Sequence, residues 1–517
     1  MEGSALPEPG PNTYSHDGLT WTDASLWDQF LASAEANPQA LAMVAADGRR
    51  WTRGEMHAMA IAALGALAEA GVHPHDRVML QGRKTPQTLA CALAISAARA
   101  IVCPYTPDLG AAEREVLDQR LGHVAVVNDS DGEPIAGVPG LRLSQRQRAD
   151  LGEPDARDAH VAMIGFTSGT TGVPKGVMHT AAAMNYTVLG CRQVARLDPG
   201  DAILGVVPLG SAPGFTFTAH FSLALGHPLV IIDPWDALET LKLIELHQVR
   251  WGICVPTHLA SLVEVARSGR WSLGTSPIKA LGVGGSSMTP ELIDDAHALL
   301  GIRALRMFGM SECMGHASTL PDDTPDRLRH SDGRSFPGTR DEAFDEQQRM
   351  LPRGQRGQAG VRGPSLFLGY CRGLGDQGHR LTEDGFYLTG DEIVCDDAGY
   401  LKVVGRIKDQ IIRGGFNIDP AEVEAALMRH PAIAQVAVVS VPEKRLGEQA
   451  CAVCCVREGQ ATPTLDGIKS HLSVIGLSKK KWPEHLLVMD RLPFTATGKI
   501  DKKRLRGMAV LELHIGQ

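Results

Sequence analysis

Residues 166–176 read Phe-Thr-Ser-Gly-Thr-Thr-Gly-Val-Pro-Lys-Gly, and the rest of the chain can be placed by its relation to this loop. An apolar run before it, residues 160–164, predicts a buried strand. Glycines permit a tight turn, and hydroxyls, backbone N–H groups and the Lys175 cation together suit a polyphosphate. The common P-loop pattern does not fit, because Pro174 stands where its second glycine belongs and Gly176 follows the lysine. The candidate phosphate-binding residues are Thr167, Ser168, Gly169, Thr170, Thr171 and Lys175.

Composition predicts a globular chain of more than one domain, because 517 residues with 44% hydrophobic content can bury large cores. The balance of 51 basic and 59 acidic residues gives a net charge of −8, and no basic run is longer than that at 479–481. Nucleic acid is therefore not expected as a partner. The most apolar window, 89–103, is interrupted by Ser96 and Arg99 and is shorter than the ~20 residues of a membrane span. We expect it to belong to the core.

The location is expected to be cytoplasmic. The N-terminus carries Glu2 and three prolines before residue 12 and lacks the basic and apolar regions of a signal peptide. Ten cysteines lie mostly in apolar settings, as is typical of reduced thiols. Cys451 and Cys454 form the one tempting cluster, but without a second Cys/His pair nearby they favour a buried strand over a zinc site.

Strand and helix patterns alternate along most of the chain. Thr52 and Glu55 form a capping box before an amphipathic helix that ends near Gly71, and strand 78–80 and helix 86–100 follow. A similar set runs from strand 203–209 to helix 290–299. This predicts an α/β fold with a large N-terminal domain of layered βαβ subdomains and a small β-rich subdomain, followed by a small mobile α+β domain. We place the domains at residues 1–407 and 408–517.

Four later segments extend the pattern set by the loop. Residues 305–312 read Leu-Arg-Met-Phe-Gly-Met-Ser-Glu, 387–391 read Tyr-Leu-Thr-Gly-Asp, 405–409 read Gly-Arg-Ile-Lys-Asp and 495–500 read Thr-Ala-Thr-Gly-Lys-Ile. Together with residues 166–176 they resemble the adenylate-forming superfamily of acyl-CoA synthetases, peptide-synthetase adenylation domains and luciferases. The resemblance runs from about residue 21 to residue 506, and it implies ATP, Mg²⁺ and coenzyme A as cofactors.

The resemblance also implies roles for individual residues. Phe308 stacks on adenine, Ser311 contacts phosphate and Glu312 holds Mg²⁺, which usually takes one or two carboxylates plus phosphates. Asp391 accepts hydrogen bonds from the ribose, assisted by Arg406. The implied catalytic residues are Lys499, Glu312, Ser311 and Lys175. The further implied nucleotide-binding positions are Gly284, Gly285, Ser286, Met307, Gly309 and Met310.

The resemblance also implies a hinge at Lys408, a coenzyme A tunnel and an acyl pocket. The tunnel residues are Gly414 and Gly415. The acyl pocket residues are Tyr186, Gly210, Ser211, Pro213, Gly284 and Met310. Many relatives carry an aromatic residue and a histidine where residues 208–215 have small side chains. This predicts a roomy pocket for a bulky, mainly apolar carboxylic acid. Gln358 also replaces a glutamate that is usual in the family.

The expected activity is adenylation of a small-molecule carboxylic acid followed by thioester formation with coenzyme A. One alternative is adenylation alone, with transfer by a partner or to a carrier protein. An amino-acid substrate is disfavoured, since residues 208–221 contain no acidic side chain to hold an ammonium group. A catalytically inactive nucleotide-binding homologue is disfavoured by the retained set Lys175, Glu312, Asp391, Arg406 and Lys499. The motifs leave a luciferase-like oxygenation open.

Overall fold

The computed structural model describes residues 12–147, 155–167, 174–272, 276–286, 288–375, 381–414, 416–443, 445–495 and 498–514. The strands are β1 (Thr13–His16), β2 (Leu19–Thr22), β3 (Leu41–Val44), β4 (Arg50–Thr52), β5 (Arg77–Gln81), β6 (Ile101–Tyr105), β7 (Ala125–Asn128), β8 (Glu133–Pro134), β9 (Arg142–Gln145), β10 (Met163–Thr167), β11 (Lys175–His179), β12 (Ala202–Gly205), β13 (Leu229–Ile231), β14 (Val249–Cys254), β15 (Ala280–Gly284), β16 (Ala304–Met310), β17 (Cys313–Ser318), β18 (Gly333–Ser335), β19 (Arg340–Phe344), β20 (Arg356–Arg362), β21 (Gly369–Tyr370), β22 (Tyr387–Cys395), β23 (Tyr400–Arg406), β24 (Ile411–Arg413), β25 (Phe416–Ile418), β26 (Ile433–Glu443), β27 (Gly447–Val456) and β28 (His485–Val488). The α-helices are α1 (Leu26–Ala36), α2 (Arg53–Glu69), α3 (Pro86–Ala97), α4 (Ala111–Arg120), α5 (Ala181–Ala195), α6 (Ala212–Gly214), α7 (Phe221–Leu225), α8 (Ala237–Leu246), α9 (Pro256–Arg267), α10 (Pro290–Leu300), α11 (Pro325–His330), α12 (Pro420–Met428), α13 (Leu465–Val474) and α14 (Lys502–Glu512).

Two large sheets organise the N-terminal domain. The first has the strand order β21-β11-β10-β6-β5-β7-β9-β8, and its central strands β10, β6, β5 and β7 are parallel. The second has the order β19-β20-β22-β23-β18-β17-β16-β15-β14-β12-β13-β3-β4, with a parallel run from β16 to β3. The mixed α/β fold predicted from the sequence is confirmed.

Helix α2 shows how local sequence sets an element. Thr52 is its N-cap: the Thr52 hydroxyl accepts from the Glu55 N–H at 3.2 Å, and a Glu55 carboxylate oxygen accepts from the Thr52 N–H at 2.7 Å. This is the predicted capping box, in which two otherwise unpaired backbone donors are satisfied. The helix ends at Glu69, and Gly71 follows with φ +66°. One face of α2, including Met56, Ala60 and Leu67, is buried in the core between the helices.

The β-rich part that the sequence predicts as a separate small subdomain is an antiparallel extension of the second sheet. Strands β17, β18, β23, β22, β20 and β19 continue that sheet beyond β16. They place the segments 387–391 and 405–409 in the same sheet as β16, the strand that precedes Glu312, with β18 and β17 in between. Hydrogen bonds of one sheet therefore join the predicted ribose and metal residues.

The small C-terminal domain contains a sheet with the order β25-β24-β27-β26, and β28 pairs with β27. Helices α12 and α14 pack against β26. Cys451 and Cys454 lie fully buried in β27. Within the part of the chain that the structure describes, no cluster of three or more His, Cys, Asp or Glu side chains could hold a metal ion.

Two predicted strands have different bounds. The apolar run at 160–164 is not one strand, because Asp155 caps a 3₁₀ turn over Ala156–His160 and β10 begins at Met163. The strand predicted at 203–209 ends at Gly205. Beyond it, α6 continues through a π-helical turn, Phe215–His220, into α7. Among the described residues, no helix combines the length and the apolar character that crossing a bilayer requires.

Candidate active site

The carboxyl ends of the parallel strands in the second sheet bring several predicted site residues together. Gly285 follows β15, and Ser311 and Glu312 form the turn between β16 and β17, where Met310 pairs with Cys313. Ligands of open α/β sheets bind beyond the carboxyl ends of such strands. This edge is therefore the expected floor of a ligand site.

The Glu312 turn is held from three sides. The carbonyl oxygen of Glu312 accepts a hydrogen bond from the Phe367 N–H at 2.8 Å. The Ser311 carbonyl oxygen lies 2.7 Å from Nε2 of His179, at the end of β11. Burial lowers the pKa of His179 to about 4, so its neutral ring donates through Nε2–H. The Tyr370 hydroxyl donates to Oε1 of Glu312 at 2.6 Å.

Asp391 and Arg406 are partners across two neighbouring strands. They face each other in the register of β22 and β23, and Arg406 Nε donates to Asp391 Oδ1 at 2.7 Å. The Asp391 side chain is 4% exposed and that of Arg406 is 60% exposed. Burial raises the pKa of Asp391, and the Arg406 guanidinium opposes this shift. The predicted ribose pair is thus assembled, with its carboxylate fixed by an ion pair.

Lys499, on the small domain, extends toward the charged residues Glu312, Asp391 and Arg406. A Cβ atom placed on Gly285, where φ is +91°, would lie 2.8 Å from Cε and 3.4 Å from Nζ of Lys499, so the lysine lies directly over the glycine. Lys499 keeps a solvent-exposed surface. Desolvation by the surrounding protein nevertheless lowers its pKa, and the charge of Arg406 adds to that shift, while Asp391 and Glu312 oppose it. One cation therefore lies within the electrostatic reach of all three charged site residues.

The loop that carries Lys499 docks on the start of α9. The Gly498 carbonyl oxygen lies 3.4 Å from the Thr257 hydroxyl, which donates to it. A Cβ on Gly498 would lie 3.5 Å from Val255 and 4.0 Å from His258. These contacts with the large domain, together with the position over Gly285, fix Lys499 at the site in this conformation.

The predicted adenine platform lies on β15 and β16. Gly284 pairs with Met307, and Gly285 and Ser286 are exposed beside them. Phe308 is half-buried, and its ring meets the edge of the His316 ring at a centroid distance of 5.0 Å. His316 is fully buried and pairs with Asp341 at 3.0 Å.

Burial disfavours the charged form of His316, yet the electrostatic effect of Cys313 and Asp341 outweighs it and raises the pKa of the imidazole well above its ordinary value. The raised pKa favours the charged form of the ring that packs against Phe308. A buried ion pair of this kind fixes the position of both partners.

Part of the phosphate loop can be placed. Thr167 and Lys175 face each other at the ends of β10 and β11. Nζ of Lys175 lies 5.0 Å from the centroid of the Tyr370 ring, a cation–π distance. The predicted phosphate-binding residues Ser168, Gly169, Thr170 and Thr171 lie outside the described residues, and so does Gly415.

The acyl pocket prediction needs correction at Gly210 and Ser211. A Cβ on Gly210 would lie 2.4 Å from the Thr106 nitrogen, so this glycine permits the close approach of two backbones rather than leaving room for a ligand. Ser211 is 3% exposed and caps α6: its hydroxyl donates to the Pro208 carbonyl at 2.9 Å and accepts from the Gly214 N–H at 3.1 Å. Protein atoms therefore fill the volume attributed to the small residues.

The remaining predicted positions are dispersed. Tyr186 is fully buried on α5, and its hydroxyl donates to the Pro337 carbonyl at 2.9 Å. Met310 packs instead with the cluster that contains Tyr370. Lys408 lies in the exposed 3₁₀ turn Ile407–Asp409. Gly414 has φ +57°, and its N–H donates to the Leu446 carbonyl at 2.7 Å within the small domain.

Sequence reasoning assigned no role to Tyr370, His179 or the pair His316–Asp341. Tyr370 lies outside the segments that carry the family resemblance, and no local pattern marks it. Its partner Glu312 is 58 positions away in the chain. Tyr370 lies on the first sheet and Glu312 lies on a turn of the second, so their contact depends on how the two sheets pack, which a local motif does not reveal.

The donor set at Glu312 fits a magnesium ion bound together with a nucleotide. The carboxylate has one oxygen occupied by Tyr370 and a second oxygen available. Mg²⁺ usually takes one or two carboxylates and completes its shell with phosphates and water, so a dedicated cluster of protein ligands is not required. Glu312 is therefore the residue that would hold the ion.

Comparisons with known proteins identify the family. The family model described as AMP-binding enzyme matches residues 30–371, and the AMP-binding enzyme C-terminal domain matches residues 422–499. The chain belongs to the AMP-binding enzyme family. The adenylate-forming superfamily identified from the motifs is thereby confirmed, as is the arrangement of a large N-terminal and a small C-terminal domain.

The relatives of this AMP-binding enzyme include two kinds of ligase. The chain is 30% identical to the medium-chain fatty-acid–CoA ligase of Escherichia coli (strain K12), over 95% of this chain and 92% of that protein. It is 28% identical to the vibriobactin-specific 2,3-dihydroxybenzoate-AMP ligase of Vibrio cholerae serotype O1, over 94% of each chain. The crystal structure of ATP-bound MatB from Rhodopseudomonas palustris superimposes with a TM-score of 0.78 at 25% identity, covering 94% of this chain and 98% of that one.

Proposed function

We propose that this enzyme uses ATP to convert a mainly apolar carboxylic acid to an acyl-adenylate and then transfers the acyl group to coenzyme A. The observation that carries the first step is the position of Lys499 over Gly285, among the charges of Glu312, Asp391 and Arg406. A lysine supplied by a second domain to a carboxylate-rich strand edge suits a reaction that develops negative charge on phosphoryl oxygens.

In the first step a substrate carboxylate oxygen attacks the α-phosphorus of ATP. A bond forms between this oxygen and the α-phosphorus. The bond from the α-phosphorus to the oxygen that bridges it to the β-phosphorus breaks, and pyrophosphate leaves with that electron pair. Asp391 holds the ribose, while Lys175 and Lys499 place positive charge beside the phosphates before the reaction starts. A magnesium ion held by Glu312 would neutralise further phosphate charge. No protein nucleophile takes part.

An acid without an ammonium group is supported by the segment predicted to line the acyl pocket. Residues 208–221 offer no carboxylate to an ammonium group. A substrate larger than acetate rests on the relatives alone, whose names specify a medium-chain fatty acid and 2,3-dihydroxybenzoate.

Coenzyme A is supported as acceptor by a basic segment beside the hairpin of β24 and β25. Nζ of Lys480 lies 5.7 Å from the Phe416 ring centroid, next to Gly414, and Lys479 precedes it in the run 479–481. A cationic surface beside the predicted tunnel suits the phosphates of coenzyme A. Transfer to a carrier protein is the second candidate, favoured by the 2,3-dihydroxybenzoate-AMP ligase among the relatives.

The experiment is pyrophosphate exchange with ATP and Mg²⁺ against acetate, hexanoate, decanoate, benzoate, 2,3-dihydroxybenzoate and an amino acid. We expect exchange with at least one apolar acid larger than acetate, and acyl-CoA in the chromatogram when coenzyme A is added. Acyl-AMP that accumulates beside coenzyme A would overturn the second step and favour a carrier protein. No exchange with any acid, in a protein that still binds ATP, would favour the inactive homologue.

A further inference from the structure

Tyr370 is placed between two elements of the site. Its two-residue strand β21 pairs with β11, so that Tyr370 faces Val177, close to Lys175 on the same strand. Its ring lies 5.0 Å from the Lys175 ammonium, and its hydroxyl lies 2.6 Å from Oε1 of Glu312. One side chain therefore contacts both the cation of the phosphate loop and the carboxylate that fits Mg²⁺.

The surrounding structure leaves this ring little freedom. Phe367 meets it edge-on at a centroid distance of 5.0 Å, and Phe367 in turn meets the Tyr387 ring at 5.2 Å. Arg157 donates to the Tyr370 carbonyl oxygen at 3.1 Å. On the remaining side, a Cβ on Gly375 would lie 3.2 Å from Cγ of Tyr370. Tyr370 is 8% exposed, so the hydroxyl is held in place by packing on several sides.

The contact with Glu312 has a consequence for the carboxylate. A glutamate on a turn has several rotamers, and each one aims its oxygens differently. A short hydrogen bond from a fixed phenol to Oε1 selects one rotamer and leaves the second oxygen available. On the opposite side, the ring face attracts the Lys175 ammonium through its negative quadrupole and restricts a side chain with many rotamers.

We propose that Tyr370 is a positioning residue that aligns Glu312 and Lys175 for the same nucleotide. Its hydroxyl fixes the carboxylate that would hold Mg²⁺, and its ring holds the cation toward the phosphates. In this proposal Tyr370 itself contacts neither the magnesium ion nor the phosphates. The inference rests on the proposed function, since it assumes that Glu312 and Lys175 serve ATP. It adds that the two are coupled through a third side chain.

The test compares Tyr370→Phe, which removes only the hydroxyl, with Tyr387→Phe. Tyr387 is the matched control, because its hydroxyl lies 3.2 Å from that of Tyr370 in the same buried cluster. Calorimetry gives the Kd of ATP with Mg²⁺ and with EDTA. We expect Tyr370→Phe to lower the Mg²⁺-dependent gain in affinity about tenfold, as a lost hydrogen bond to a charged group implies. In EDTA its affinity should equal that of the wild type.

Two further measurements keep the proposal testable. In a double-mutant cycle with Glu312→Gln, adding Tyr370→Phe should cost nothing more, because the partner is already removed. Tyr370→Leu, which also removes the ring, should weaken ATP binding several-fold even in EDTA. The proposal is overturned if folded Tyr370→Phe keeps the full Mg²⁺ gain, or if Tyr387→Phe loses as much. Failure of wild-type protein to bind ATP at all would instead count against the proposed function.

Discussion

Replacing Lys499 with alanine tests the adenylation site most directly. The change removes an ammonium group that lies over Gly285 and leaves the backbone contact of Gly498 with Thr257 in place. A unit charge about 4 Å from a phosphoryl oxygen contributes about 4 kcal/mol at an effective dielectric near 20. Lys499 keeps an exposed surface and Arg406 still supplies positive charge, so we expect a loss of about 3 kcal/mol in the transition state, a fall of about 100-fold to 1,000-fold in rate.

The assay separates the two half-reactions. Pyrophosphate exchange measures adenylation, and chromatography of purified acyl-AMP with coenzyme A measures thioester formation. Lys499→Ala should depress the first by the stated factor and leave the second within about threefold of the wild type, because the ammonium acts on the phosphates of ATP. Lys503→Ala, an exposed lysine on α14, is the matched control and should change neither.

An equal fall of both steps in a folded Lys499→Ala protein would refute this reasoning. It would show that the lysine supports the whole active site instead of the developing phosphoryl charge. Lys499→Ala with normal exchange would refute it as well, since the geometry over Gly285 would then have no chemical consequence. A thermal melt of each variant shows whether the small domain remains folded.

Three further predictions concern other residues. Asp391→Asn should raise the Kd of ATP about tenfold by calorimetry, since a buried carboxylate hydrogen-bonded by Arg406 is lost; an unchanged Kd would count against the ribose role. His316 has a raised pKa in the folded state, so its contribution to stability is complete below pH about 6.5 and is lost as pH rises through the folded value. In urea titrations, the unfolding free energy of His316→Gln should fall less steeply above that pH than that of the wild type. An equal slope of unfolding free energy against pH in both proteins would contradict this. Gly210→Ala should destabilise the protein by about 1–3 kcal/mol or more and lower turnover of small and large acids alike. Gly65→Ala is the control, since the space around Gly65 in α2 is open, and it should stabilise the protein by about 0.5–1 kcal/mol. A loss of turnover in Gly210→Ala that is confined to large acids would restore Gly210 to the pocket wall.

Local signals predicted much of the fold. The capping box at Thr52, the glycine end of α2 and the alternation of strands and helices all have causes within a few residues, and the structure agrees with them. The helical segment that begins at Ala212 was missed, although Ser211 and Pro213 provide a cap and a first-turn proline. Its side chains are buried on all sides, so the apolar period that marks a surface helix is absent.

The site could be predicted only where a continuous motif carried it. Asp391 and Arg406 were paired through the family resemblance of their two segments, and the antiparallel register of β22 and β23 supplies the physical reason. The pocket wall could not be derived, because the meaning of a glycine depends on what lies across from it. Opposite Gly210 is the backbone at Thr106, just beyond the carboxyl end of β6 in the first sheet.

The path of the chain between the two domains limits where they can rotate. Up to Arg406 the backbone is fixed in β23 by its pairing with Asp391, and from Ile411 it belongs to the sheet of the small domain. We propose that rotation occurs at the exposed turn Ile407–Asp409, with Lys408 at its centre, since hinges need only a few such positions. Lys499 and Gly414 are both carried by the small domain, but Lys499 contacts the site while Gly414 contacts Leu446 within the domain itself. In the proposed function this orientation presents the lysine, and we expect a second orientation about Lys408 to present the Gly414 hairpin to the acyl-adenylate.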